Sequence, residues 1–242
     1  MLVRPTLSPK EPRPSGSAAP PRIFGYRGAT DRVPNTLPAL LGHLADGAHG
    51  LALDVEITAD GVLVAADDSL ARACGLGRSI RELTFRALAT VDLGSRLGTG
   101  GVVRLASLAE LIDGLEGRAA IAVVLPDRRD HRIRAALERC PTDPDRTLAI
   151  GAWADALPRG IGQRILRWSG AEPLPSLADV DGLALPVFGT LGPLPLGGLR
   201  VGLGCDTPRA ASEARRAGFD LVLTERPAWL RDRFDLGASA TL

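Results

Sequence analysis

Three stretches within the first seventy residues bring together side chains that could handle a phosphate group or a metal ion. In "RIFGYR" (22–27) a strand-like run ends in Tyr26 and Arg27, with Gly28 next. An arginine fork matches the geometry of phosphate oxygens, and it forms a structural pair with a nearby acid equally well. In "LALDVEI" (51–57) one parity holds Leu51, Leu53, Val55 and Ile57, and the other holds Ala52, Asp54 and Glu56. "TADG" (58–61) then leads into "VLVAAD" (62–67). Four residues cannot make a parallel crossover, which takes about a dozen, so 51–67 reads as a strand running into a hairpin. Folding about Asp60 brings Asp54 near Ala66 and Asp67. Hard cations are held by converging carboxylate oxygens. Asp54, Glu56 and Asp67, with Asp68 beside them, are therefore the candidate cation ligands. Arg27 is the candidate clamp for a phosphate, or the partner of Asp54.

These residues need a scaffold, and the rest of the chain supplies its pattern. Leu37, Leu40, Leu41 and Leu44 fall at i, i+3, i+4 and i+7, one stripe of a helix ending near Gly47. "SLAELIDGLEG" offers Ser107 and Glu110 as a capping box with Leu108, Leu111, Ile112 and Leu115 as its stripe. In "TPRAASEARRAG" Thr207 is the N-cap, Pro208 the first helical residue and Gly218 the stop. Strands are expected at 23–27, 51–57, 119–125, 147–152, 182–187, 199–204 and 220–224, with a weaker one at 163–168. Eight strands interleaved with helices predict an α/β fold, a single (β/α)8 TIM-type barrel over 22–232 with a hairpin insertion after strand 2. In such a barrel the apolar parity of 51–57 faces the surrounding helices, and the parity of Asp54 faces inward or toward the mouth. The 182–200 region is poor in helix signal, which predicts a loop in place of one crossover. Residues 1–21, rich in proline, read as a disordered tail, and 233–242 as a C-terminal tail.

Composition narrows the function classes. The 242 residues carry a net charge of +1 with no basic face, which argues against nucleic-acid binding. No apolar run approaches the roughly 20 residues of a membrane span, and prolines interrupt the N-terminus where a secretory signal needs an apolar core. A cytoplasmic protein is expected. Cys74, Cys140 and Cys205 are odd in number and widely spaced, which suits reduced thiols. His43, His49 and His131 are each expected at the surface. "GLGCDT" (202–207) lacks the third glycine of a dinucleotide loop.

The text inside these elements resembles the glycerophosphodiester phosphodiesterase family from about residue 22 to 230. In that family the first strand ends His-Arg-Gly and the first helix is preceded by Pro-Glu-Asn-Thr. Here stand Tyr26-Arg27-Gly28 and Val33-Pro34-Asn35-Thr36. The family continues Glu-Leu-Asp-Val, Thr-x-Asp-Gly and a strand ending His-Asp. Here stand Ala52-Leu53-Asp54-Val55, Thr58-Ala59-Asp60-Gly61 and Asp67-Asp68. "GFDLVLTERP" (218–227) keeps the closing strand and turn. The resemblance implies two acid–base histidines, whose places are taken by Tyr26 and Asp67. It also implies a divalent metal held at Ala52, Asp54 and Val124, of which only Asp54 is an acid. A further acid is replaced by Pro34.

Two readings follow. In the first, the chain is a phosphodiesterase-like barrel that has lost catalysis, needs no cofactor, and binds a phosphorylated small molecule or a protein partner. In the second, it is an active phosphoric diester hydrolase of lipid and glycerol metabolism, with Mg or Ca held by relocated ligands at Asp54, Glu56 and Asp67. A third possibility makes the barrel an interaction scaffold whose mouth is irrelevant.

Overall fold

Short runs of β-branched and aliphatic residues that are buried on both faces can be satisfied only in a sheet covered on both sides. Gly50–Asp54, Ala120–Val124 and Thr147–Gly151 are such runs, buried at every position. In the computed structural model, which describes residues 20–169, 173, 174, 176–188 and 198–239, they are strands of a closed parallel barrel. The strands are β1 (Arg22–Tyr26), β2 (Gly50–Asp54), β3 (Glu56–Ile57), β4 (Leu63–Val64), β5 (Ala120–Val124), β6 (Thr147–Gly151), β7 (Gln163–Arg167), β8 (Gly182–Pro186), β9 (Leu199–Leu203) and β10 (Leu221–Thr224). Eight of them close the ring in the order β1-β10-β9-β8-β7-β6-β5-β2. The other two, β3 and β4, form an antiparallel hairpin in which Glu56 pairs with Val64. The expected barrel with a hairpin after its second strand is the observed architecture.

The helices are α1 (Leu37–Ala45), α2 (Asp68–Ala73), α3 (Phe85–Ala89), α4 (Leu93–Leu97), α5 (Leu108–Gly114), α6 (His131–Glu138), α7 (Pro208–Ala217) and α8 (Pro227–Ser239). Their ends follow the sequence signals. Ser107 and Glu110 form the reciprocal capping box of α5. Thr207 caps α7, which stops at Gly218 in the left-handed conformation, φ 71°. The final helix runs through 232, where the barrel was expected to end, to Ser239. Phe234, placed by sequence in a tail, is 2% exposed in the core beside β10 and α7. The proline-rich stretch 1–19 lies outside the described residues, as does most of the 182–200 crossover.

Two apolar layers result from the parity of the strands. Phe24, Ala52, Ala122, Val124, Ile150, Ile165, Ala184, Val201 and Leu223 fill the barrel interior. Leu51, Leu53, Val55 and Ile57 turn outward against α1, α5 and α6. Phe24 fits because Gly50 lies opposite it on β2; a Cβ there would sit 2.4 Å from the ring. A third cluster under the hairpin gathers Val33, Val64, Leu70, Ile80 and Leu93. Among the described residues, no helix is long and apolar enough to cross a membrane.

The crossovers are uneven. Helices α1, α5, α6 and α7 link β1–β2, the hairpin–β5, β5–β6 and β9–β10. Between β6 and β7 stand only two short 3-10 turns, 154–156 and 159–161. No helix is present among the described residues between β7 and β8. Among the described residues, that side of the barrel carries the thinner cover.

Candidate functional site at the barrel mouth

Parallel strands of a barrel present their C-terminal ends at one face. Tyr26 ends β1, Asp54 ends β2 and Val124 ends β5, with Asp54 registered against Val124 and Tyr26 against Ala52. The residues singled out by sequence therefore meet at the mouth. Arg27 follows Tyr26 in a left-handed conformation, φ 63°, and Asn35 adopts another, φ 60°. For arginine this costs about 1–2 kcal/mol. Two backbone bonds hold the bend, from Arg27 N–H to the Ala52 carbonyl at 2.8 Å and from Asn35 N–H to the Arg27 carbonyl at 2.6 Å.

The bend turns the guanidinium over the strand ends. Arg27 Nε donates to Asp54 Oδ2 at 2.6 Å and Nη2 donates to Asp67 Oδ2 at 2.7 Å. The Tyr26 hydroxyl donates to Asp54 Oδ1 at 2.6 Å. Asn35 completes the group: its Oδ1 accepts from the Asp54 backbone N–H at 3.1 Å, and its Nδ2 lies 3.4 Å from Asp54 Oδ2. The guanidinium also lies 4.9 Å from the centre of the Tyr26 ring. Burial, reinforced by Asp54, pushes the Tyr26 hydroxyl well above the ordinary tyrosine range, so it remains a proton donor to Asp54. Burial works against charge on Arg27, but Asp54, Tyr26 and Asp67 together outweigh it and the guanidinium stays protonated.

Asp67, at the position of a family histidine, caps α2: its Oδ1 accepts from Leu70 N–H at 3.0 Å and from the Ser69 hydroxyl at 2.6 Å. Asp68 accepts from Ile80 N–H at 3.1 Å. Glu56 does not join Asp54 and Asp67. It is 3% exposed and its Oε1 is taken by Arg128 and by the backbone N–H of Ile57. The structure thus brings two of the three proposed carboxylates together, with Arg27 between them.

A hard cation asks for six or more oxygen donors, several of them charged. At the positions where the resemblance implies metal ligands, Ala52 and Val124 offer hydrocarbon only. Asp54 already accepts hydrogen bonds on both oxygens. The donor set does not fit the ion, and among the described residues no group of three or more His, Cys, Asp or Glu gathers, here or elsewhere, as one would around a metal.

His43, expected at the surface, is buried at 1% exposure. Gly25 on β1 makes the room, since a Cβ there would lie 2.6 Å from the imidazole. The His43 Nε2 lies 3.3 Å from the Tyr26 carbonyl, directly behind the site. His131 is exposed at the start of α6.

The other half of the mouth is hollow. A cavity of about 830 Å³ is lined by Ala152, Arg167, Trp168, Pro186, Leu203 and the carboxylates of Asp127, Asp155 and Asp179, among others. Arg167 ends β7 and reaches Asp127 and the Leu125 carbonyl. Sequence reasoning passed over it because "QRILRW" was the weakest strand. Its inward parity with Ile165 was the available signal.

Residues 27–119 match the model of the glycerophosphoryl diester phosphodiesterase family. Over 77 residues, 31% of this chain, the sequence is 34% identical to lysophospholipase D GDPD3 of Mus musculus. The match spans 23% of that relative's length. Among solved structures, an Oleispira antarctica phosphodiesterase in complex with the product sn-glycerol-3-phosphate superposes with a TM-score of 0.74 at 18% identity, covering 89% of this chain and 97% of that one. A Silicibacter pomeroyi protein described as a glycerophosphoryl diester phosphodiesterase gives 0.67 at 20% identity, covering 94% and 96%. By sequence, residues 27–119 are of the glycerophosphoryl diester phosphodiesterase family, and the barrel they begin has the fold of solved structures bearing that name.

Proposed function

We propose that this barrel keeps the phosphodiesterase fold without the metal-dependent hydrolysis, and that it acts by binding a small phosphorylated molecule in the hollow half of its mouth. The observation that carries the reading is the engagement of Asp54: both of its oxygens are bonded, by Tyr26 and by Arg27. Hydrolysis of a phosphodiester needs a cation to neutralise charge developing on phosphorus and a proton donor for the leaving alkoxide. General acid–base help is worth about 10²–10⁴-fold, and a metal several kcal/mol more. Tyr26, Ala52, Asp67 and Val124 supply neither.

Binding is supported by the cavity. The Arg167 guanidinium can take a phosphate bidentately, and the Asp127 side chain that now holds it is 80% exposed, so solvent screens the pair and exchange costs little. Asp155 and Asp179 offer acceptors to ligand hydroxyls, and Trp168 an apolar wall.

The test is a hydrolysis assay on glycerophosphocholine and related diesters with Mg²⁺, Ca²⁺ or Mn²⁺ added. Turnover should not exceed the metal-free background. Robust turnover that disappears in Asp54→Ala would establish the active enzyme instead. Binding of sn-glycerol 3-phosphate, followed by calorimetry, should weaken about 10–100-fold in Arg167→Ala, the loss of one or two charged hydrogen bonds.

A further inference from the structure

We propose that the insertion between the hairpin and β5 is a docking surface for an anionic lipid bilayer, with Arg72, Arg96 and Arg104 meeting lipid phosphates around the exposed side chain of Val102. This surface lies outside the cavity at the mouth, and its role stands whether or not that cavity binds a ligand.

The charge is concentrated in one stretch of chain. Residues 68–104 hold six arginines, at 72, 78, 81, 86, 96 and 104, against three acids, Asp68, Glu82 and Asp92. That is a net of +3 in a chain whose total is +1, so the remaining residues together carry −2. All six arginines are exposed. The three acids are engaged with backbone. Asp68 accepts from Ile80 N–H at 3.1 Å and Glu82 from Ser79 N–H at 2.9 Å. Asp92 accepts from Ser95 N–H at 3.3 Å and from Val103 N–H at 3.1 Å. Glu82 is kept below the usual carboxylate range first by its bonds from Ser79 and only then by Arg78 and Arg81. Elsewhere arginines pair readily, Arg132 with Asp130, Arg134 with Glu138, Arg200 with Asp220 and Arg209 with Glu213, but none of the six does so among the described residues.

The arginines stand on one small body. Leu70, Ala71, Cys74, Ile80, Leu88 and Leu93 pack together beneath them. Arg96 Nη1 donates to the Cys74 carbonyl at 2.6 Å, which ties α4 to the end of α2, where Arg72 stands. Leu93 N–H donates to the Val103 carbonyl at 2.7 Å, which lays the 98–104 loop against α4. Val102 stands on that loop at 71% exposure, the most exposed large apolar side chain among the described residues. A single exposed valine is ordinary. Between Arg96 and Arg104 in the chain, it supplies one of the two parts of interfacial binding, an apolar group for the headgroup boundary, and the arginines supply the other. A guanidinium also fits a lipid phosphate bidentately. A nucleic acid would use the arginines and leave the valine in water; a bilayer uses both. Asp67, the N-cap of α2, holds Arg27, so the surface borders the mouth.

The experiment is sedimentation of the full-length protein with vesicles of phosphatidylcholine alone and of an equal mixture with phosphatidylglycerol. Binding is expected to the mixed vesicles only, and to weaken as salt is raised. Each arginine beside an anionic bilayer is worth about fivefold in affinity, so Arg72→Gln/Arg104→Gln should weaken binding about 25-fold. Arg72→Lys/Arg104→Lys keeps the charge and should retain most of it. Val102→Gln should cost about threefold or more through lost apolar burial. Arg216→Gln/Arg233→Gln, which removes two exposed arginines of α7 and α8, should bind as the wild type does. Should the first pair fail to fold, Arg78→Gln/Arg81→Gln on the same body takes its place. Equal binding to both vesicles, or to neither, would overturn the proposal, and so would equal losses in the insertion and α7–α8 variants. Retention on heparin without vesicle binding, or a Val102→Gln that binds vesicles undiminished, would replace the bilayer with a polyanionic partner.

Discussion

The mouth of this barrel has two halves built on opposite plans. Where β1, β2 and β5 end, every polar group named above is bonded to a neighbour, and the space is filled by Tyr26, Arg27, Asp54, Asn35 and Asp67. Where β6 to β9 end, a cavity of about 830 Å³ stands open beside an arginine whose partner is mostly in water. The difference follows from the crossovers. Next to β2 the chain inserts a hairpin and three short helices over the strand ends. Next to β6 and β7 the described residues offer 3-10 turns and irregular chain. The half that looks like a catalytic centre in sequence is closed by its own side chains, and the half without a motif holds the room for a ligand.

The comparison is most directly broken at Asp54. Asp54→Ala strips Arg27 and the Tyr26 hydroxyl of a shared partner whose side chain is only 10% exposed. Leaving such groups unpaired should cost about 2–3 kcal/mol, measured as a shift in the urea midpoint without a change in slope. A loss below about 0.5 kcal/mol would mean that the closed half is not held by this network.

A pH titration sharpens it next. Burial lowers the pKa of His43 behind the closed half, and burial followed by the charge of Arg22 does the same at His49. The unfolded imidazoles titrate near 6.5. Below that value the unfolded chain takes up protons that the folded chain refuses, so stability is complete above about pH 6.5 and falls as the solution is acidified. Thermal unfolding from pH 7.5 to 5.0 should show this decline, and His43→Gln should flatten it. A flat profile in the wild type contradicts the burial of the ring.

The smallest effect is expected in the open half. Arg167→Ala breaks an ion pair with a largely exposed acid and should change stability by no more than about 1 kcal/mol. A cost as large as that of Asp54→Ala would erase the contrast between the halves.

Much of the scaffold was legible because its signals are local. Ser107 with Glu110, and Thr207-Pro208 with Gly218, mark helix ends through bonds made within a few residues. The four-residue "TADG" excludes a crossover by length alone. The parity of 51–57 sorts Leu51 and Leu53 from Asp54 correctly, because a strand has only two faces. What escaped depends on distant partners. The burial of His43 is decided by the missing side chain at Gly25, and the divergence of Glu56 from Asp54 by Arg128, 72 residues on. The continuation of the last helix past 232 is decided by a pocket for Phe234 that β10 and α7 build together. Such pairings are matters of three-dimensional register, which a single chain's spacing does not encode.

The lack of a helix between β7 and β8 among the described residues has a consequence for how the ring comes apart. Three residue pairs register these strands, Ile165 with Gly182, Leu166 with Leu183 and Arg167 with Ala184, as many as join β1 to β2 and one more than join β9 to β10, against five between β2 and β5; of these short seams it is the one with no helix in its crossover among the described residues. A closed barrel has no edges, so its first opening must create two at once, and the least costly place to do so is a seam with few bonds and, among the described residues, no helix in its crossover. Amide protons of β7 and β8 should therefore exchange with solvent ahead of those of β2 and β5, through partial openings that leave the β1–β2–β5 wall intact. The flank that admits a ligand is then also the flank through which the fold breathes, and an occupied cavity would slow exchange there first.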